Sequence, residues 1–167
     1  MSASRTRWLG EEQQRDWRAY IVGTTLLLDV LDRELRNAHG ISLGEYEILV
    51  RLSESPDRTL RMAQIAESMR HSRSRVTHTV SRMEAAGLVR RAASTTDRRG
   101  VEATMTEEGY DLLVQAAPTH VNGVRTHFVD LATPEEFSAL GRVMNAVSDH
   151  LLTADDDEMG TDIRQRS

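Results

Sequence analysis

At Gly87 the spacing of apolar residues changes period, and this change limits what the chain can fold into more than any other feature. Before it, Met62, Ile65, Ala66 and Met69, then Val76, Val80 and Met83, recur at three- and four-residue steps, the pattern of two short amphipathic helices. After it, Leu88–Ala92 and Val101–Met105 fit two short strands around the polar turn Ser94–Gly100. Arg70-His71 allows only a tight connection between the helices, and Ser72 suits the N-cap of the second. Two helices joined by a turn of about three to four residues and followed by a hairpin make a winged helix-turn-helix.

The flanks are helical and long. From about Glu12 to Asn37 the apolar positions Trp17, Tyr20/Ile21, Leu27/Leu28, Leu31 and Leu35 predict an amphipathic helix that Gly40 ends in a left-handed cap. Ser42-Leu43-Gly44-Glu45 is a capping box that opens a second helix, stopped at Ser55-Pro56, and Thr59-Leu60-Arg61 suits a minor strand. Thr106, with Glu107 and Glu108 behind it, starts a long helix that Pro118 is expected to kink or split. Thr133-Pro134-Glu135-Glu136 is the sharpest helix start in the chain and leads through Phe137, Leu140, Val143, Val147 and Leu151. The expected fold is mainly α: a winged helix-turn-helix lobe at 41–105 between dimerisation helices at 12–40 and 106–152. All of this is one domain over 12–152, with a flexible N-terminus at 1–11 and a disordered acidic tail at 153–167.

The composition excludes several functions. Cysteine is absent, so thiolate metal sites, disulfides and a cysteine nucleophile are excluded. No Ser/His/Asp order, glycine-rich phosphate loop or paired carboxylate stands out, so no enzyme activity, metal or cofactor is expected. No run approaches the roughly 20 apolar residues of a membrane helix. Met1-Ser2-Ala3-Ser4-Arg5 lacks the apolar segment of a secretory signal, and a cytoplasmic location is expected.

The net charge of -5 conceals a strong division. Every basic side chain is arginine. Nine arginines face three acids between Arg61 and Arg99, a local charge of +6, whereas the rest of the chain carries -11. With a Debye length of about 8 Å at physiological salt, a polyanion responds to the local field and not to the total. At 100° per residue, Val76, Val80 and Met83 face a core, while Ser74, His78, Ser81, Arg82 and Ala85 point outward, flanked by Arg75 and Thr77. Guanidinium forks, hydroxyls and an imidazole on an acid-free face suit the edges of bases in a major groove. Arg73 falls nearer the buried side, from which it can flare toward a phosphate at the helix start. Arg98 and Arg99, oriented by Asp97, suit a narrow minor groove.

Ser72 through Val89 (Ser-Arg-Ser-Arg-Val-Thr-His-Thr-Val-Ser-Arg-Met-Glu-Ala-Ala-Gly-Leu-Val) resembles the recognition helix and exit of the multiple-antibiotic-resistance-regulator (MarR) family. Asp97-Arg98-Arg99-Gly100 through Met105-Thr106-Glu107-Glu108-Gly109 resembles that family's wing and the start of its next helix, with Met105 where leucine is commoner. The resemblance covers about residues 12–152. It implies an obligate homodimer, a DNA-binding regulator, and often a small aromatic acid as effector.

The terminal helices carry wide apolar faces that a small winged-helix core has no use for, and two copies packed there would form an isologous interface. Such a dimer presents two recognition helices to half-sites about 10 bp apart on a pseudo-palindrome. The expected function is therefore sequence-specific binding of double-stranded DNA, with repression as its expected sense. The DNA contacts are Ser72, Arg73, Ser74, Arg75, Thr77, His78, Ser81 and Arg82 on the helix, and Asp97, Arg98 and Arg99 on the wing. The alternative from another class is a helical protein-interaction module without specific DNA binding. Trp17, Tyr20 and Tyr46 are either part of a plain aromatic core or the lining of an effector pocket. His120 and His127 suit an interface or the surface better than a metal.

Overall fold

A computed structural model describes residues 6–94 and 100–164, with side chains as far as residue 153. The chain has two compact units, which divide at Val124/Arg125. The first unit opens with α1 (Glu11–His39), whose Gln13 side chain returns to the Gly10 amide at 3.0 Å. Gly40, at φ 72°, ends it in the left-handed region that glycine enters without a Cβ clash. Helix α2 (Leu43–Ser53) begins at the expected capping box: the Ser42 hydroxyl accepts from the Glu45 amide, and Glu45 Oε2 accepts from the Ser42 amide at 2.8 Å.

A 3-10 turn at Pro56–Arg58 leads into β1 (Thr59–Arg61), α3 (Met62–Ser68) and α4 (Arg73–Ala85). Strands β2 (Val89–Ala93) and β3 (Val101–Met105) follow, and the antiparallel sheet has the order β1-β3-β2. Its register pairs Thr59 with Thr104 and Arg91 with Ala103, and the Thr59 and Thr104 hydroxyls lie 2.8 Å apart. The core is shared by helices and sheet: Leu35, Ile48, Leu49, Leu52, Ile65, Val76, Val80, Met83, Ala103 and Met105 are buried together. The three residues that define the inner face of α4 are the three the helical wheel selects.

Helix α5 (Glu107–His127) continues through Pro118 without being split. It ends at His127, and a 3-10 turn occupies Val129–Leu131. In the second unit, α6 (Pro134–Arg164) starts at a capping box, with the Thr133 amide donating to Glu136 Oε2 at 2.8 Å. Its backbone stays helical well past 152, where the sequence placed a disordered acidic tail. Polarity alone does not end a helix, and Ala154-Asp155-Asp156-Asp157-Glu158 contains no proline or glycine to break one. Phe137, Val143, Val147, Leu151 and Leu152 are exposed on α6, as are Trp17, Ile21, Val22, Leu26 and Leu28 on α1. Among the described residues no helix is long and apolar enough to cross a membrane.

Candidate nucleic-acid interface

The turn between α3 and α4 is set by its own hydrogen bonds. The Arg70 amide donates to Glu67 O at 3.0 Å and the His71 amide to Ala66 O at 3.1 Å, a Schellman pair that closes α3. Arg70 holds φ 51° there, a position glycine usually takes. Ser72 then caps α4, its hydroxyl accepting from the Arg75 amide at 3.3 Å and lying 3.1 Å from the Ser74 hydroxyl. At its other end α4 closes through a second Schellman pair, Gly87 N to Glu84 O and Leu88 N to Met83 O, with Gly87 at φ 77°.

Ser72, Arg73, Ser74, Arg75, Thr77 and His78 are all exposed, and no acid occupies the first turn of α4. The positive end of the helix dipole adds to the arginine charge there. Arg73, which the wheel put nearer the core, is exposed because the first turn of the helix extends beyond the core residues that begin at Val76. The Thr77 hydroxyl donates to Arg73 O at 2.8 Å, leaving its lone pairs as acceptors. Ser81 is half-buried.

Arg82 differs from the rest of the face. Its Nη2 lies 3.1 Å from Glu45 Oε1, so the outward-pointing guanidinium belongs to an ion pair with α2. Arg36, Arg75, Arg82, His71 and His78, with Asp32, line a cleft of about 270 Å³ between the α1–α2 junction and α4. Asp32 is occupied, accepting from Arg36 Nε at 2.6 Å and from the Leu43 amide at 2.8 Å. Burial raises its pKa, but those bonds outweigh burial and hold the carboxyl below the usual range. The cleft therefore keeps an excess of cationic groups.

The one acid of α4, Glu84, is consumed by the hairpin. Its Oε2 accepts from Arg91 Nε at 2.8 Å and Nη2 at 2.6 Å, and its Oε1 accepts from the Arg91 amide at 2.9 Å. The Arg91 guanidinium and then its amide hold the Glu84 carboxyl below the ordinary range. This clamp fixes β2 to the recognition helix, and nothing in the sequence pattern announced it. The base of the hairpin is closed by the Ser94 amide on Gly100 O at 2.8 Å. Asp97, Arg98 and Arg99 lie outside the described residues.

The aromatic trio does not form one site. Trp17 and Tyr20 stack on α1 with centroids 5.9 Å apart, and Trp17 is 54% exposed. Tyr46 is buried in the core cluster with Leu35, its ring 4.6 Å from that of His120. A helical rise of about 1.5 Å per residue puts Trp17 roughly 27 Å along α1 from Leu35, too far to share a pocket with Tyr46. His120 is half-buried, and its Nδ1 has no hydrogen-bond partner among the described residues. Among those residues no group of three or more His, Cys, Asp or Glu is placed to hold a metal.

A recognition helix with an exposed basic start, clamped to a hairpin and packed on a preceding helix, defines a DNA-binding winged helix. Residues 39–100 match the model of the MarR family. A MarR family transcriptional regulator of Streptomyces coelicolor, Sco3205, solved in complex with DNA, is 44% identical over 89% of this chain and 93% of its own, with a TM-score of 0.85. AbsC, another such regulator from Streptomyces coelicolor, is 40% identical over 87% of this chain and 98% of its own, with a TM-score of 0.83. The HTH-type transcriptional regulator PecS of Dickeya dadantii is 28% identical over 87% of this chain and 91% of its own length. The chain belongs to the MarR family and is a winged-helix transcriptional regulator.

Proposed function

We propose that the protein is a cytoplasmic repressor that binds a pseudo-palindromic operator as a homodimer. The observation that carries this reading is the acid-free, exposed start of α4, where Ser72, Arg73, Ser74, Arg75, Thr77 and His78 share one surface. Arg75 and His78 read base edges in the major groove, while Ser72, Arg73, Ser74 and Thr77 meet phosphates or base edges. Ser81 and Arg82 border that surface one turn further on. Arg98 and Arg99 of the wing enter the flanking minor groove, with Asp97 as their orienting partner. The exposed apolar residues of α1 and α6 support dimerisation, since each helix leaves a row of large side chains in water.

Repression is relieved by a small aromatic acid. The cationic cleft between the α1–α2 junction and α4 supports this better than the aromatic trio does, because an anion bound there touches Arg75 and His78 of the reading surface.

Selection of bound fragments from random duplexes tests the reading directly. The expected product is a two-fold related sequence with half-sites about 10 bp apart. An asymmetric or featureless product refutes it. Val147→Glu, which places a charge on the exposed row of α6, is expected to yield monomers in light scattering and to lose operator affinity. Aromatic acids that raise the melting temperature and release DNA identify the effector class.

A further inference from the structure

Glu45 sits where two helices meet. Its Oε2 accepts from the Ser42 amide at 2.8 Å and from the Ser42 hydroxyl at 2.7 Å, so the carboxylate is fixed by the start of its own helix. Its Oε1 is thereby presented to α4, where Arg82 Nη2 lies 3.1 Å away. The Glu45 side chain is 12% exposed and that of Arg82 49%. The acceptor is rigid and shielded, while the arginine it holds sits beside the reading surface. Glu84 is already engaged elsewhere, since Arg91 holds both of its oxygens.

An arginine left free at that position would meet any phosphate within reach. Such a contact adds affinity for every sequence and carries no base information. Drawing Arg82 to a phosphate would also break the ion pair of the shielded Glu45 carboxylate and leave it only the field of Arg36, which is costly.

We propose that Glu45 is a specificity-determining positioning residue: it withholds Arg82 from the DNA backbone and fixes the orientation of α4, leaving readout to the N-terminal half of the helix. This rests on the DNA-binding reading above. It makes the α2 capping box part of the recognition apparatus, although Glu45 itself does not touch DNA.

The experiment compares wild type, Glu45→Gln, Arg82→Gln and the double variant on the selected operator and on a random duplex across a salt range. Glutamine serves in a capping box as glutamate does, so Glu45→Gln keeps the helix start and removes the charge. Glu45→Gln is expected to bind random duplex more tightly, with a log–log salt slope steeper by about 0.9, the value of one added phosphate contact. Its ratio of operator to random affinity falls. Arg82→Gln keeps the wild-type slope, and the double variant matches Arg82→Gln. An unchanged slope in Glu45→Gln overturns the proposal. So does a slope in Arg82→Gln shallower by about 0.9 than wild type, since Arg82 would then already hold a phosphate. If Glu45→Gln does not fold, the comparison of wild type with Arg82→Gln still decides. Salt-independent or absent duplex binding by the wild type is a different result, and it overturns the DNA-binding reading itself.

Discussion

Gly109 packs directly on the carbonyl of Leu88: a β carbon on Gly109 would collide with the Leu88 oxygen. The same carbonyl accepts the Thr106 amide at 3.1 Å, and the Thr106 hydroxyl donates to Gly87 O at 2.7 Å. That hydroxyl also accepts from the Gly109 amide at 3.0 Å, which caps α5. The first turn of α5 is therefore built onto the exit of the recognition helix.

Gly109→Ala follows from that contact. The obstacle is backbone and not a flexible side chain, so α5 must shift or the turn at Gly87 must open. A loss of about 1–3 kcal/mol is expected, the usual range for overpacking a tight contact. Urea denaturation measures it, and an unchanged midpoint would show that the turn yields freely.

Glycine at this position was legible before the structure only as part of the Thr106-Glu107-Glu108-Gly109 resemblance, and its cause is a contact between elements. The same division runs through the molecule. The boxes at Ser42/Glu45 and Thr133/Glu136 were visible because each closes within one helical turn. The pairs Arg82–Glu45 and Arg91–Glu84 were not, because a helical wheel gives the direction of a side chain but not the element that will meet it. The end of α6 was placed early for a different reason: the acidic run Asp155–Glu158 was taken as the end of structure, although charge alone does not stop a helix.

Arg91→Ala separates wing placement from wing charge. Arg91 gives its Nε, its Nη2 and its amide to Glu84, so it holds β2 to α4 and its guanidinium is turned to that carboxylate. The variant is expected to lose operator affinity while keeping the salt slope of wild type, because no phosphate contact is removed. It should also change the acid limb of stability. The Glu84 carboxyl titrates below its ordinary value in the fold. Its contribution is therefore complete above about pH 4.3, the unfolded value, and is lost as pH falls through the folded one. Arg91→Ala lacks that dependence, and thermal melts between about pH 5 and 3 compare the two. A shallower salt slope in the variant would instead make Arg91 a phosphate ligand.

His120 acts in the same direction at a higher pH. Burial pushes its imidazole below the ordinary histidine value, against the opposing pull of Glu47. The unfolded chain takes up this proton near about pH 6.5, where the folded chain still resists it. Stability from this residue is full above that pH and falls as the pH drops toward the folded value. His120→Phe keeps a ring against Tyr46 and removes the proton site. Its melting temperature is expected to fall less than that of wild type between about pH 7.5 and 5.5. Equal falls in the two proteins would remove His120 from the pH dependence.

The wing can be tested through the DNA flanks. Strands β2 and β3 stay paired to Ala93 and Val101, and the Ser94–Gly100 bond at 2.8 Å closes the hairpin base. A narrow A·T-rich minor groove carries a deeper negative potential than a G·C-rich one, and a guanidinium inserted there responds to the difference. Arg99→Ala is therefore expected to weaken binding most on operators with A·T-rich flanks. Replacing those flanks with G·C pairs should reduce wild-type affinity and leave the variant nearly indifferent. Asp97→Ala should give a milder loss, since it frees the arginine without removing its charge. The measurement is fluorescence anisotropy with each protein on both flanks at one salt concentration. An Arg99→Ala penalty equal on both flanks would reduce Arg99 to a phosphate contact, because phosphates are spaced alike whatever the sequence.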